Sequence, residues 1–139
     1  METVFFKDLT IKRKLNVINV WNKWITEESN NAMPYTVENI DTLFHEVIFL
    51  FDNDVMVASI AHCSRSIYQL YVDTEYRNEY YGSLILSKMK NYLKNELNYH
   101  YCSLCCENDL LHFYKKNGFL IEHYEEGNKY SYYMKQYLH

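Results

Sequence analysis

The chain has 139 residues, of which 48% are hydrophobic, and its formal net charge is −4. This length is enough for one domain with its own core, so we expect residues 1–139 to form a single domain. Proteins that bind nucleic-acid backbones usually carry a basic stripe, so the acidic balance argues against a nucleic-acid partner.

The first half of the chain is predicted to contain four strands and two helices. The predicted strands cover residues 3–9, 46–51, 55–63 and 67–72, and the predicted helices cover residues 11–26 and 36–44. In the first helix, apolar residues recur every three or four positions, which indicates one buried stripe. The sequence Asp52-Asn53-Asp54 predicts a turn between the second and third strands.

The second half is predicted to contain two helices and three strands. The predicted helices cover residues 82–97 and 108–117, and the predicted strands cover residues 99–106, 119–125 and 129–138. Gly118 follows the second helix, where glycine is the favoured residue, and Glu126-Gly127-Asn128 predicts a hairpin turn. This order of elements indicates an α+β fold, in which helices cover a mixed sheet.

The cysteines indicate a reducing compartment. Cys102, Cys105 and Cys106 crowd into five residues, whereas the disulfide framework of a secreted protein spreads its cysteines along the chain. His100 precedes them, which raises the question of a zinc site. Cys102 and Cys105 are an odd number of residues apart and so face opposite sides of a strand, and no second Cys/His pair lies at a suitable distance. We therefore predict buried cysteines and no metal site.

The lengths of the apolar runs indicate the compartment and whether the chain crosses a membrane. The first residues lack the basic start and apolar stretch of a signal peptide. No apolar run in the sequence approaches the roughly 18 residues that cross a membrane. We expect a cytoplasmic protein with no membrane partner.

A strand, a loop and a helix start at residues 67–83 predict an anion site. The backbone N–H groups of about Asn78 to Ser83 have no partner within a helix that starts here, and the helix dipole adds positive potential. Arg77 would add a full charge, and Gly82 has no Cβ, so a phosphate could approach the backbone closely. This chemistry suits the pyrophosphate of a coenzyme. The alternative is that Gly82 merely starts a helix.

A second motif adds a resemblance to a known family. Residues 113–119 read Phe-Tyr-Lys-Lys-Asn-Gly-Phe and resemble the closing helix of the GNAT superfamily of acetyltransferases. The loop resembles the Arg/Gln-x-x-Gly-x-Gly/Ala signature of that superfamily, with Arg77 and Gly82 in register and Tyr80 in place of the first glycine. The resemblance implies the GNAT fold, a central and mostly antiparallel sheet flanked by helices, and acetyl-CoA as co-substrate.

The resemblance also implies roles for individual residues. The backbone of Leu70, Tyr71 and Val72 would hold the pantetheine arm. The loop would hold the pyrophosphate; its residues are Arg77, Asn78, Glu79, Tyr80, Tyr81, Gly82 and Ser83, and the carboxylate of Glu79 would face solvent. Tyr114 would point its hydroxyl at the coenzyme sulfur, where a phenol can donate a proton to the departing thiolate. The alternative for Tyr114 is an ordinary core aromatic residue.

One branch of the superfamily matches further residues. Leu97-Asn98, Leu104, Cys106 and residues 113–118 resemble the corresponding stretch of eukaryotic glucosamine-6-phosphate N-acetyltransferases. This resemblance implies an amino-sugar phosphate as acceptor and a homodimer as assembly.

The chain also departs from that branch. The acidic pair of the branch aligns with Tyr68-Gln69 here, the branch's asparagine is Leu110, and its C-terminal arginines are replaced by residues 135–137. Arg65 and Lys135 are candidates for a replacement phosphate clamp, and Gln69 is a further candidate for acceptor binding.

The group that deprotonates the amine is left open. Glu107, at the end of a strand beside the expected donor cleft, is the first candidate and His112 the second; a chain of waters could also suffice. Other acceptors, such as a protein N-terminus, a lysine or a polyamine, remain alternatives to the amino sugar. A catalytically inactive binding protein with the same fold is the alternative from a different functional class, because Tyr80 replaces a glycine and the acidic pair is missing.

Overall fold

The computed structural model describes residues 1–29, 33–77 and 79–139. Within these ranges the chain forms four α-helices and seven β-strands. The helices are α1 (Ile11–Glu28), α2 (Val37–Leu43), α3 (Glu79–Asn95) and α4 (Leu111–Lys116). The strands are β1 (Glu2–Phe5), β2 (Glu46–Asp52), β3 (Val55–Cys63), β4 (Ser66–Val72), β5 (Tyr101–Cys106), β6 (Leu120–Tyr124) and β7 (Tyr132–Tyr137).

The N-terminal elements follow the prediction with one shortened strand. The predicted strand over residues 3–9 ends at Phe5, because the chain turns into a 3-10 helix at Phe6–Asp8 that buries the Phe6 ring in the core. Each of the first two helices is capped by a side chain that bonds to a residue three positions along the chain. Thr10 accepts a hydrogen bond from the Arg13 amide at the start of α1, and Thr36 forms a capping box with Asn39 at the start of α2.

The helix bounds in the second half differ from the prediction by one turn. Helix α3 begins at Glu79 and not at Gly82, since Tyr81 is held in the helix by tertiary contacts: its hydroxyl donates to Asp52 at 2.8 Å. The helix predicted over 108–117 begins with a 3-10 turn at Asn108–Leu110 and becomes α-helical only after it.

The seven strands form one mixed sheet in the order β1-β2-β3-β4-β5-β7-β6. Strands β4 and β5 pair in parallel, and every other neighbouring pair is antiparallel. The predicted α+β architecture with a mostly antiparallel sheet is confirmed.

Each face of the sheet has its own core. Helices α1 and α2 cover β1–β4 on one face through residues that include Trp21, Trp24 and Ile40. Helix α3 covers the opposite face, where α4 and β5 join the same core through Tyr114 and Leu104. The second core also extends to β7.

Strands β5, β7 and β6 are covered differently from strands β1–β4. Tyr101, Tyr133 and Lys135 on β5 and β7 are half-buried and lie on the face opposite the α3 core, while every residue of the edge strand β6 is exposed. None of the helices in the described ranges is long and apolar enough to cross a membrane.

Candidate active site

The site is a cleft where β4 and β5 separate. In the described structure the two parallel strands are bridged only at Ser66 and Ser103, near their N-terminal ends. Strand β4 also has an irregularity at Gln69, whose φ is 54° and whose carbonyl accepts a hydrogen bond from the Ser59 hydroxyl at 3.2 Å. A bulge of this kind bends a strand and interrupts its pairing. The divergence of the strands leaves room for a ligand between them.

Two adjoining cavities occupy this cleft. The first has a volume of about 560 Å³ and lies between β4, β5, α4 and the β6–β7 turn. The second has a volume of about 430 Å³ and extends from β4 toward α3. Both are lined by the same five residues, which are Glu28, Leu70, Tyr71, Leu110 and Tyr114. The cavities therefore form one continuous groove. We call the first the acceptor cavity and the second the coenzyme groove, after the ligands that the sequence leads us to expect there.

The groove contains the predicted segment of β4. Leu70 and Tyr71 line both cavities, and Val72 lines the coenzyme groove. The Tyr71 hydroxyl is buried and has no hydrogen-bond partner among the described residues. Because β4 has parted from β5 here, its backbone edge can pair with a ligand that lies along it.

Tyr114 is located where the two cavities meet. It is 7% exposed, and its ring makes edge-to-face contacts with Phe113 and Phe119 at centroid distances of 5.1 and 5.8 Å. Burial, with a smaller contribution from Cys106, raises the pKa of the Tyr114 phenol well above its ordinary value. The hydroxyl is therefore protonated at neutral pH. No hydrogen bond joins this hydroxyl to any described residue, so it is available to a ligand.

The residues after Tyr114 fix the position of α4. Gly118 has a φ of +96°, which lets the chain leave the helix and bury Phe119 completely. The Lys90 ammonium donates to the Asn117 carbonyl at 2.9 Å and to the Gln136 side chain at 3.2 Å. Burial lowers the pKa of Lys90. The motif that suggested the family thus also joins α3, α4 and β7.

Arg77 lines the coenzyme groove and is already engaged. Its Nε donates to the Val72 carbonyl at 2.9 Å, and its guanidinium lies 4.9 Å from the centre of the Tyr71 ring. Its Nη2 lies 3.0 Å from Oε1 of Glu28, at the end of α1. Sequence reasoning missed Glu28. The available signal was Glu27-Glu28 at a helix C-terminus, where the dipole disfavours carboxylates.

The phosphate loop differs in part from the prediction. A Cβ on Gly82 would lie 3.1 Å from the Phe113 ring, so the missing side chain makes room for that ring. Close packing of α3 on α4 thus explains this glycine, although Gly82 also lines the coenzyme groove. Ser83 and Tyr80 lie farther along, beside a cavity of about 380 Å³. Asn78 lies outside the described residues, as does the side chain of Glu79.

Glu107, the first candidate for the base, lines the acceptor cavity at the end of β5. Its Oε1 lies 3.7 Å from the Lys129 ammonium, and its side chain is 36% exposed. His112, the second candidate, is exposed on α4 and does not line either cavity.

The predicted acceptor-binding residues separate into two groups. Gln69 lines the acceptor cavity, whereas Arg65 and Lys135 do not. Both basic residues stack on Tyr101: the Arg65 guanidinium carbon lies 5.2 Å and the Lys135 nitrogen 4.2 Å from the ring centre. They nevertheless adjoin the closed end of that cavity, since Arg65 precedes Ser66 and Lys135 is the β7 partner of Ser103.

The cysteines of β5 alternate as predicted. Cys102 and Cys106 are buried toward the α3 core, and burial raises the pKa of their thiols to about 12 and about 11 respectively. Cys105 faces the other way, is exposed and lines the acceptor cavity, so the prediction of buried cysteines is wrong for this residue.

The aromatic wall of the acceptor cavity was not predicted. Tyr68 lies on β4, and Tyr130 and Tyr133 come from the β6–β7 hairpin, together with the side chain of Asn128. Tyrosine is abundant throughout this chain, with 15 residues, so its presence at these positions gave no signal. The described residues that line this cavity include two carboxylates, Glu28 and Glu107, and no lysine or arginine.

Comparisons with known proteins agree with this geometry. The sequence model of the acetyltransferase (GNAT) domain family matches residues 44–121, more than half of the chain. No curated protein sequence matches significantly.

Several solved structures are similar in fold. GCN5 from Tetrahymena is 17% identical with a TM-score of 0.76, and the alignment covers 100% of this chain and 97% of that one. The F149A mutant of spermidine N-acetyltransferase SpeG from Vibrio cholerae is 16% identical with a TM-score of 0.70 and coverages of 99% and 95%. N-acetylglutamate synthase from Neisseria gonorrhoeae, solved with coenzyme A and N-acetyl-glutamate, is 13% identical with a TM-score of 0.72, and the alignment covers 100% of this chain and 36% of that one. At these identities the likeness shows the fold alone.

Proposed function

Because this chain belongs to the acetyltransferase (GNAT) domain family and therefore uses acetyl-CoA, we propose that it acetylates a primary amine bound in the acceptor cavity. The observation that carries this proposal is the position of Tyr114, a buried and protonated phenol where the acceptor cavity meets the coenzyme groove. A donor and an acceptor lying in these two spaces would meet beside its hydroxyl.

The groove fits the chemistry of acetyl-CoA. The separated edge of β4 at Leu70–Val72 offers backbone groups to the amides of a pantetheine arm. The charge of Arg77 and the N-terminal end of α3 suit a pyrophosphate. Phe113 supplies apolar surface between these polar regions.

Two side chains of the protein would move protons in the reaction. Acetyl-CoA supplies a thioester whose carbonyl carbon an uncharged amine can attack. Glu107 would accept the proton that the ammonium loses, directly or through water. Tyr114 would donate a hydrogen bond or its proton to the sulfur as the carbon–sulfur bond breaks and the amide forms. Its raised pKa keeps the phenol protonated and thus a donor, and a phenolate left by proton transfer would regain its proton from water.

The first test separates coenzyme binding from turnover. We expect calorimetry to show one acetyl-CoA site per chain, and thiol release to accelerate when a suitable amine is added. The amine panel contains glucosamine 6-phosphate, spermidine and a peptide with a free N-terminus. Absence of binding at millimolar acetyl-CoA would refute the enzyme assignment and favour the inactive binding protein.

Two acceptor classes have support from different residues. A glucosamine 6-phosphate acceptor is supported by Arg65 and Lys135, whose cationic groups lie on the Tyr101 ring and adjoin the cavity through their neighbours Ser66 and Ser103. Lys135 also lies 3.8 Å from Glu122. A polyamine acceptor is supported by Glu28 and Glu107, which make the cavity lining acidic. The fold neighbour SpeG is named for spermidine. We retain the amino-sugar phosphate as the first candidate, because an amine at the acidic lining of Glu28 and Glu107 and a phosphate at Arg65 would use both charged regions.

We also propose a homodimer, as the family resemblance implies. Strand β6 is an edge strand with every residue exposed, and Leu120 is 73% exposed. Natural proteins usually protect such an edge. Light scattering of the purified protein tests this assembly, and a monomer mass at working concentrations would contradict it.

A further inference from the structure

The cluster around Glu28 links the coenzyme groove to the acceptor cavity. Glu28 is the last residue of α1, and its side chain lines both spaces. Its carboxylate is 3.0 Å from the Arg77 guanidinium, which itself lines only the coenzyme groove. One carboxylate is thus within reach of ligands on either side.

A cation stabilises Glu28 at its position in α1. The C-terminal end of a helix carries partial negative charge, so a carboxylate there is unfavourable unless a positive group lies beside it. Arg77 is the cation that Glu28 contacts among the described residues. An ammonium ion in the acceptor cavity could take the same place, because Glu28 lines that cavity also.

Arg77 has two bonding directions. Its Nε is held by the Val72 carbonyl and its plane lies over Tyr71, so the guanidinium stays in the groove whichever anion it binds. Its Nη2 is the group that contacts Glu28. A coenzyme phosphate at this point would compete with Glu28 for the same guanidinium.

The end of α1 is fixed independently of that ion pair. Trp24, one helical turn before Glu28, stacks on Tyr71 at a centroid distance of 5.0 Å. The Trp24 indole N–H donates to Asp73 Oδ2 at 3.0 Å. Loss of the contact between Arg77 and Glu28 would therefore leave the Glu28 backbone in place at the rim of the acceptor cavity.

From this geometry we propose that Glu28 binds the acceptor ammonium, which replaces Arg77 as the partner of the Glu28 carboxylate. When a coenzyme phosphate engages Arg77, the Glu28 carboxylate is released to the acceptor, so the two ligands favour each other's binding. This inference rests on the proposed function, since it assumes acetyl-CoA and an amine as ligands. It adds a specificity residue and a coupling between the two sites.

The test compares Glu28→Gln with the matched control Glu27→Gln. Glu27 is the neighbouring carboxylate of α1 and lines neither cavity. Glutamine at position 28 keeps a hydrogen-bond acceptor for Arg77 but removes the charge. We expect the Kd of acetyl-CoA to fall about two- to fivefold, the scale of one exposed ion pair. The KM of the amine should rise about tenfold or more, because a charge-assisted hydrogen bond is lost, with kcat nearly unchanged.

The expected fall in the Kd of acetyl-CoA and rise in the KM of the amine distinguish this proposal from a structural role of Glu28. If Glu28 only held α1 in place, its substitution would weaken both ligands and lower the thermal midpoint. The gain in coenzyme affinity from Glu28→Gln should vanish when Arg77 is already replaced. The double variant Glu28→Gln/Arg77→Gln should therefore bind acetyl-CoA no more tightly than Arg77→Gln alone.

Three outcomes would overturn the inference. The first is an unchanged amine KM in Glu28→Gln, the second is weaker coenzyme binding in that variant, and the third is an equal effect of Glu27→Gln. Failure of the proposed function is recognised separately, since the unaltered protein would then bind no acetyl-CoA or release no thiol with any amine of the panel, and the inference would fail with it.

Discussion

The two walls of the cleft would recognise their proposed ligands by different means. The coenzyme wall consists of the free backbone edge of β4, the N-terminal end of α3 and the packed residues Phe113 and Tyr114. The acceptor wall consists of side chains from separate parts of the chain, among them Glu28, Glu107 and Tyr133. Backbone recognition constrains the local sequence to a motif, whereas recognition by scattered side chains does not. This difference explains why a local motif predicts the donor, whereas the acceptor stays a proposal.

The largest effect is expected on the wall with the motif. Tyr114→Phe should lower kcat about hundredfold, because the phenol that protonates the thiolate is lost, while the Kd of acetyl-CoA stays within about twofold since the ring and its packing remain. The matched control is Tyr124→Phe, an exposed tyrosine on β6 outside the cleft. Rates and calorimetry check both. Equal activity of Tyr114→Phe at every pH would remove this residue from the mechanism and break the contrast between the walls.

The next effect is a loss of stability at two glycines, one beside each wall. Gly118 follows α4 with a φ of +96°, and a Cβ there would collide with the Gln136 amide. Gly127 in the β6–β7 turn has a similar φ of +84°, but a Cβ there would meet nothing within 4 Å. We expect Gly118→Ala to lower the free energy of unfolding by about 2 kcal/mol and Gly127→Ala by about 1 kcal/mol.

Urea denaturation measures both glycine variants. Equal losses would show that backbone conformation alone decides the cost, and that the contact of Gly118 with Gln136 contributes nothing. A larger loss at Gly127 would contradict the expected order of the two losses.

The extent of successful prediction follows the same contrast. The sheet, the β4–α3 segment and the place of Tyr114 beside it could be predicted, because hydrophobic periodicity and one motif are local properties of the sequence. The start of α3 was misplaced by three residues, since the hydrogen bond of Tyr81 to Asp52 joins residues far apart in the chain. The role of Gly82 beside Phe113 depends on helix packing, which no local pattern reveals.

The acceptor side was less predictable for a physical reason. Glu28 and Glu107 are 79 positions apart in the sequence, and only the folded chain places both on one cavity. Arg65 and Lys135 were chosen by a resemblance and not by spacing. They lie together on Tyr101 because β4, which Arg65 precedes, and β7, which carries Lys135, both adjoin β5.

A smaller effect tests whether that basic pair belongs to the acceptor wall. If the acceptor carries a phosphate, Arg65→Gln should raise the KM of glucosamine 6-phosphate about tenfold through loss of a charge-assisted contact, and leave the KM of spermidine unchanged. The control is Arg13→Gln, an arginine that also packs on an aromatic ring, Phe51, but on the far side of the molecule from β7. Steady-state kinetics with both amines provide the measurement. A uniform change for both amines would indicate a structural role of Arg65 and favour a polyamine acceptor.

The smallest effect is the pH dependence of stability caused by His62, which lies in the sheet that supports both walls. His62 on β3 is 1% exposed and its Nε2 has no partner among the described residues. Burial lowers the pKa of His62 below its ordinary value of 6.5, with His45 and Lys7 acting in the same direction and a hydrogen bond to the Ser64 carbonyl opposing them. The folded protein therefore resists protonation that the unfolded chain accepts.

The sign of the pH dependence follows from this difference. As pH falls below about 6.5, the unfolded state binds a proton that the folded state does not, so the free energy of unfolding decreases by up to about 1.4 kcal/mol per pH unit until His62 protonates in the folded state. Glu46, the β2 partner of His62, acts oppositely: burial raises its pKa above 4.5, so its contribution is lost as pH rises through the raised value. Both effects arise in the sheet and not in the cleft.

The measurement is urea unfolding between pH 5 and pH 7 for the unaltered protein, His62→Phe and the control His123→Phe, which changes an exposed histidine on β6. Phenylalanine at position 62 keeps a ring against Tyr92 and removes the titration. We expect a flatter dependence of stability on pH in His62→Phe only, since Glu46 is present in all three proteins. An unchanged slope would show that His62 titrates alike in both states. If thiol release still falls at acid pH in His62→Phe, that loss of activity does not arise from the titration of His62.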